Sequence, residues 1–327
     1  MKRWLLRGFY LLAILLLIAI AAGTTWEAAK HSQEAKRFPP RGRLVDAGGY
    51  RLDLNCTGEG SPAVILETGL GVPSISWDQV QRQVDKFTRV CSYDRAGYGY
   101  SDPGPLPRTS LRIATELHAL LTNAGVPAPY ILVGHSFGGF NVRVFAGQYP
   151  KEVAGMVLVD SSQEDQTARI PAKLAAQAQA QTRWGPLLPL LRPIGVIRYI
   201  LQKQPGVSEE MIALETRPDF IATSYRELAV FEESAKQVRA AGNLGDLPLI
   251  VLTAGKTSPV PPGIQAEITA YRKVWVDELQ PSLARLSTRG KRVMVMDSDH
   301  MIPFEDPQAI VNAVHEVMLT PAMPAPH

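Results

Sequence analysis

From Arg43 onward the chain alternates short, β-branched apolar runs with longer stretches at helical spacing, and this rhythm limits the fold more than any other feature. Residues 44–47, 50–56, 63–67, 89–93, 130–134, 153–160, 249–254 and 292–296 read as strands. Residues 75–87, 110–123, 137–149, 265–286 and 307–319 read as helices. Ser74 or Ser76 is a candidate cap for the first helix, Gly125 stops the second, and Pro307 opens the last. Gly48-Gly49 joins the first two strands as a hairpin turn. Strands alternating with helices form a mostly parallel sheet covered on both faces, and the almost wholly apolar run 153–160 fits a strand buried on both sides. Right-handed crossovers then place the connecting loops at the strand C-terminal ends, where sites collect.

The rhythm lapses over 163–243, which is rich in Ala, Gln and Leu and broken by Pro186, Pro189, Pro193, Pro205 and Pro218. It reads as a helical cap inserted after the sixth strand. The expected organisation is therefore 1–42 for an N-terminal segment, 43–162 for the first part of the core, 163–246 for the cap and 247–327 for the second part of the core.

Lys2, Arg3 and Arg7 lead into an uncharged run, 8–26, of 19 residues. At about 1.5 Å per helical residue it spans roughly 28 Å, close to the ~30 Å of a bilayer core. Trp4 and Trp26 bracket it like interfacial anchors. The segment predicts a membrane anchor with the body outside the cytoplasm, periplasmic or extracellular. A cleaved signal peptide is the alternative, with Ala19-Ile20-Ala21 as its small-x-small site and a secreted body. Lys30, Lys36, Arg37, Arg41 and Arg43 follow the run and weaken the positive-inside contrast. The polar stretch 27–42, with Pro39-Pro40 near its end, reads as a linker. The chain's 34 Lys and Arg against 31 Asp and Glu leave a formal +3, too small and scattered an excess to argue for nucleic acid. Two cysteines exclude a disulfide-built mini-fold, the histidines show no metal-ligand spacing, and no cofactor motif is present.

Gly134-His135-Ser136-Phe137-Gly138 is a G-x-S-x-G set between a predicted strand and a predicted helix. A strand turning sharply into a helix holds its central residue in strained backbone, and glycines on either side give the turn room. The Ser136 hydroxyl is then presented above the sheet edge. The next N–H, that of Phe137, points to the same spot from the helix N-terminus, where the dipole favours a developing oxyanion.

The chain resembles the α/β-hydrolase superfamily over about 44–319. The likeness rests on Gly134–Gly139, on Ser92-Tyr93-Asp94-Arg95-Ala96-Gly97-Tyr98-Gly99-Tyr100-Ser101-Asp102, and on Asp299-His300 before Pro303 and Pro307. It implies an α/β fold with a mostly parallel eight-stranded sheet, helices on both faces, and the chain order Ser, Asp, His for a catalytic triad. His300 follows the last strand in a polar loop and is the expected base. Many members carry the acid after the strand that follows the cap. Here that strand runs into Ala254-Gly255-Lys256-Thr257-Ser258-Pro259, and over 247–276 the only acidic residue is Glu267. Some relatives, certain haloalkane dehalogenases among them, place the acid one strand earlier, where this chain has Asp160. Asp160 is the expected acid, with Asp297, Asp299 and Glu267 as alternatives. The second oxyanion donor falls in Thr68-Gly69-Leu70-Gly71, as the Leu70 N–H. Asp94 and Arg95 are expected to organise the loops beneath the site. The superfamily sheet order, 1-2-4-3-5-6-7-8, makes the strands of Cys56 and Cys91 neighbours, which implies a disulfide in an exported chain.

The resemblance implies a serine hydrolase acting on an ester-type bond of a small acyl substrate without a cofactor. A proline-releasing aminopeptidase or amidase is the alternative; it wants acidic groups for the substrate amine, and Glu209, Glu210, Glu215, Glu232 and Glu233 lie in the cap. A non-catalytic binding module on the same fold is the third reading.

Overall fold

The structure, a computed structural model, describes residues 2–183, 185–204, 206–258, 260 and 263–320; Pro205 and Pro259 lie outside it. Eight strands form one sheet: β1 Arg43–Asp46, β2 Arg51–Thr57, β3 Ala63–Glu67, β4 Val90–Tyr93, β5 Tyr130–His135, β6 Val153–Val159, β7 Leu249–Ala254 and β8 Gly290–Val295. Their order is β1-β2-β4-β3-β5-β6-β7-β8. The β1–β2 and β2–β4 pairs are antiparallel and every later pair is parallel. Cys56 faces Cys91 in the β2–β4 register, and the two form a disulfide.

The helices are α1 Lys2–Arg37, α2 Asp78–Val84, α3 Ser110–Ala124, α4 Gly138–Gln148, α5 Gln166–Arg169, α6 Ala172–Thr182, α7 Leu188–Leu191, α8 Val196–Leu201, α9 Glu209–Glu215, α10 Phe220–Ala229, α11 Phe231–Ala241, α12 Gln265–Val274, α13 Gln280–Ala284, α14 Ile302–Glu305 and α15 Pro307–Leu319. Side chains alternate across a strand, so each central strand feeds two cores. Ile65, Leu132, Met156 and Leu158 join Leu117 and Leu121 of α3 and Phe145 of α4 on one face. Val64, Leu66, Ile131, Val133, Val157 and Val159 join Val80 and Val84 of α2 and Val314 of α15 on the other. Full cover on both faces is why β3 and β5 are buried along their whole length.

The seven helices α5–α11 lie between β6 and β7, the place expected for a cap. The last of them also closes the core, since α11 packs on α3 and α4 with Ala235 and Val238 fully buried. The stretch read as one helix over 265–286 is broken by a π turn, Trp275–Leu279, between α12 and α13. Pro281 has no N–H for the carbonyl four residues back, so the α ladder cannot run through unbroken.

The linker reading of 27–42 fails for most of its length, because α1 runs unbroken to Arg37. Ala28, Ala29, Lys30, Gln33, Glu34, Ala35 and Lys36 are good helix formers, and the helix stops just ahead of Pro39-Pro40. The polar half is held by the cap. The Arg198 guanidinium of α8 donates to Glu27 at 2.8 and 3.0 Å, to Glu34 at 2.9 Å and to the Thr216 hydroxyl at 2.8 Å. Among the described residues, α1 is the one helix long and apolar enough to cross a membrane, and its apolar part is exposed.

Candidate active site

The turn from β5 into α4 is tight. Ser136 has φ 51°, an uncommon left-handed conformation for a residue with a side chain. Its N–H donates to the Val159 carbonyl at 3.1 Å and its carbonyl accepts the Ser162 N–H at 3.0 Å, which pins the turn to the end of β6. A Cβ on Gly138 would stand 2.6 Å from the carbonyl oxygens of Glu67 and Thr68, so only glycine lets α4 begin against the end of β3.

Three side chains from three strand ends meet above this turn. The Ser136 hydroxyl lies 3.0 Å from His300 Nε2, and His300 Nδ1 lies 2.7 Å from Asp160 Oδ2. With the carboxylate on Nδ1, the imidazole carries its proton there and turns a lone pair towards Ser136. The other acidic residues considered for this role are engaged elsewhere. Asp299 accepts from Ser258 at 2.6 Å and from the Met301 N–H at 2.8 Å, Glu267 pairs with Lys173 at 2.8 Å, and Asp297 is open to solvent.

Asp160 is itself strained, with φ 38° and 2 % exposure. Its Oδ1 accepts the Ala254 N–H at 3.1 Å and the Trp275 Nε1–H at 3.0 Å. Burial alone would raise its pKa; the hydrogen bond and charge of His300, with the bonds from Trp275 and Ala254, hold it below the ordinary carboxylate value. Trp275 opens the π turn, so this indole is a site residue that periodicity did not reveal. His135 is another. It is buried, and burial first, then the neighbouring His300, pushes its pKa down to about 3. The neutral ring donates from Nε2 to the His300 carbonyl at 2.9 Å, fixing the backbone that carries the His300 ring.

The loop after β3 lies against the serine: a Cβ on Gly69 would sit 3.2 Å from Ser136 Cβ. Arg95, fully buried, donates to the Thr68 carbonyl at 2.8 Å and the Gly69 carbonyl at 2.9 Å. It also pairs with Glu67 at 2.8 Å and with Glu227 of α10 at 2.9 Å. Burial opposes its charge, but the two carboxylates outweigh burial and hold the guanidinium ionised. One side chain thus ties the loop, the sheet and the cap together. Neither the Leu70 nor the Phe137 N–H donates to an acceptor among the described residues. Asp94 accepts the Ser74 N–H at 2.9 Å and the Tyr100 N–H at 3.2 Å, and Gly99, at φ 45°, leaves no room for a Cβ beside that carboxylate.

Two cavities flank this loop. One, of about 450 Å³, is lined by Ser136, Asp160 and His300 with Lys256, Tyr271 and Arg272. The other, of about 390 Å³, is lined mostly by apolar side chains, Leu70, Leu188, Ile197, Leu201 and Phe220 among them, with Glu215. Desolvation in that setting pushes Glu215 up to about 7.

The sequence profile of the Alpha/beta hydrolase family matches residues 64–313. A curated relative, the probable transporter efuK of Hormonema carpetanum, is 25 % identical over 301 residues, covering 84 % of this chain and 42 % of its own length. The chain therefore spans less than half of that relative. An epoxide hydrolase, CorEH, superposes with a TM-score of 0.64 at 18 % identity, over 84 % of this chain and 97 % of that one. A thermophilic esterase of Thermogutta terrifontis gives 0.58 at 22 % identity, over 84 % and 97 %. Likeness at these identities speaks to fold alone, and the two structures carry different chemistries.

Proposed function

The chain belongs to the alpha/beta hydrolase family, and we propose that within it this protein is a membrane-anchored serine hydrolase that cleaves an ester-type acyl bond. The observation that carries the reading is the line of contact Ser136 Oγ, His300 Nε2, His300 Nδ1, Asp160 Oδ2, at 3.0 and 2.7 Å. Ser136 Oγ attacks the acyl carbon as His300 Nε2 takes its proton. The carbonyl oxygen becomes an oxyanion held by the Leu70 and Phe137 N–H groups. Collapse breaks the bond to the leaving oxygen, which departs with the proton from His300. Water then gives a proton to His300, attacks the acyl-serine and releases the acid and the free serine. Asp160 keeps the imidazole in the required tautomer and stabilises the imidazolium.

A hydroxyl nucleophile disfavours epoxide opening of the kind that begins with a carboxylate ester. For the amine-releasing alternative, Glu209 pairs with Arg37, Glu210 with Arg41 at 2.6 Å and Glu233 with Lys236 at 3.5 Å, whereas Glu215 lines the cavity that Leu70 and Gly71 also line. The disulfide suits an oxidising compartment. A fluorophosphonate probe is expected to label the wild-type protein and not Ser136→Ala, with p-nitrophenyl ester turnover lost in parallel. Equal labelling and turnover in both proteins removes Ser136 as nucleophile.

A further inference from the structure

The helices α7 and α8 face two ways. Leu188, Ile197 and Leu201 line the apolar cavity. From the same short segment Leu187, Leu190, Tyr199 and Ile200 point outward, at 49, 70, 61 and 50 % exposure. A cap helix has no packing reason to carry large apolar side chains on both faces, and a contiguous apolar patch of this kind marks a contact surface.

The position of α1 says what that surface meets. A Cβ on Gly23 would lie 2.6 Å from the Ile194 carbonyl oxygen, and one on Gly195 would lie 2.6 Å from the Trp26 ring. The turn between α7 and α8 therefore touches α1 at Gly23–Trp26, the last turn of its uncharged run. One residue further on, Glu27 meets Arg198 in a buried ion pair at 2.8 Å, so the polar half of α1 rises along the cap. If 8–26 fills the hydrocarbon, Gly23–Trp26 is at the membrane surface, and so are the outward faces of α7 and α8. Lys203, exposed just beyond α8, suits the headgroup level.

We propose that the α7–α8 segment is a second membrane contact, lying in the interface of the bilayer that α1 crosses, and that it opens the apolar cavity to the chains of membrane lipids. This rests on the anchor and hydrolase readings above and names their substrate class: an ester with a long aliphatic chain, drawn from the bilayer. Leu70 and Gly71 line this cavity, and a Cβ on the preceding Gly69 would lie 3.2 Å from Ser136 Cβ, so a chain seated there would lie one loop away from the serine. The cavity with Lys256 and Arg272 is left for the polar part of the ester.

The test uses the full chain in phospholipid nanodiscs with doxyl-labelled lipids, and an environment-sensitive dye on an introduced cysteine. Leu12→Cys reports the anchor, Leu190→Cys and Tyr199→Cys report the cap, and Leu319→Cys, on α15, is the control. Quenching at 190 and 199 comparable to that at 12, with 319 unaffected, is the expected result. Quenching at 12 with 190 and 199 as bright as 319 overturns the cap contact and leaves the anchor standing. No quenching at 12 overturns both. None of these readings needs activity, so the hydrolase reading is judged separately. In the double variant Leu190→Glu, Ile200→Glu, turnover of a long-chain ester presented in the bilayer is expected to fall about tenfold while a short, soluble ester is unaffected. An unchanged rate on the bilayer ester overturns the feeding role.

Discussion

The walls of the two cavities come from different parts of the chain. The cavity beside Ser136 takes Ser136, Asp160, Lys256 and His300 from beyond the C-terminal ends of β5, β6, β7 and β8, and is completed by Gln166 and Ile170 of the cap and by Tyr271, Arg272 and Trp275. The first four positions are set by the sheet, whose central strands are buried on both faces. The apolar cavity takes its walls from α7, α8 and α10, short cap helices held to the sheet through side chains such as Glu227 on Arg95. On the proposed function, the division separates chemistry from selection: the reacting side chains leave strand ends, whereas the apolar cavity belongs largely to an insertion.

That separation predicts a hierarchy of effects. Asp160→Asn leaves the shape of the cavity beside Ser136 intact and removes the carboxylate that bonds His300 Nδ1. Its kcat is expected to fall about 10³–10⁴-fold on every substrate, long or short, in steady-state assays. Leu201→Trp fills the apolar cavity. It is expected to lower kcat/KM roughly 10–100-fold for a long-chain ester and hardly at all for an acetyl ester. A uniform loss on both esters would mean that the cavities are not independent. Trp275→Phe removes one donor to Asp160. About a tenfold fall in kcat with little change in KM is expected, since a hydrogen bond to a charged group is worth about 1.5–3 kcal/mol. The smallest effect concerns Glu215. A carboxyl raised to about 7 is mostly neutral below that pH and charged above it, so the preference for long chains should decline as pH rises through 7. Glu215→Gln should flatten that decline, a difference of about threefold at high pH, seen as the ratio of long- to short-chain kcat/KM.

What the residues disclosed follows the same line. The strands were legible because apolar runs report burial directly, and their order was implied by the resemblance to the hydrolase superfamily. Asp160 was singled out because the slot after β7 contains no carboxylate and some relatives use the strand before it, and the structure sets it 2.7 Å from His300 Nδ1. Residues that act through tertiary contact were not legible. Trp275 fits a helical stripe, and only the π turn and the closeness of β6 show why it is there. His135 looked like no more than a neighbour of Ser136, yet it holds His300 by its backbone carbonyl. In α1, Glu27, His31 and Glu34 stand at i, i+4 and i+7, one face of a helix. That spacing is a signal of docking that the polarity of the segment masked, because the partner, Arg198, is more than 160 residues away.

The most direct measurement is mass spectrometry of the enzyme quenched during turnover of a p-nitrophenyl ester. The serine mechanism predicts an acyl adduct confined to the peptide containing Ser136 and absent from Ser136→Ala. Turnover in H₂¹⁸O that instead places label in the Asp160 carboxyl, with Ser136 unmodified, would contradict it.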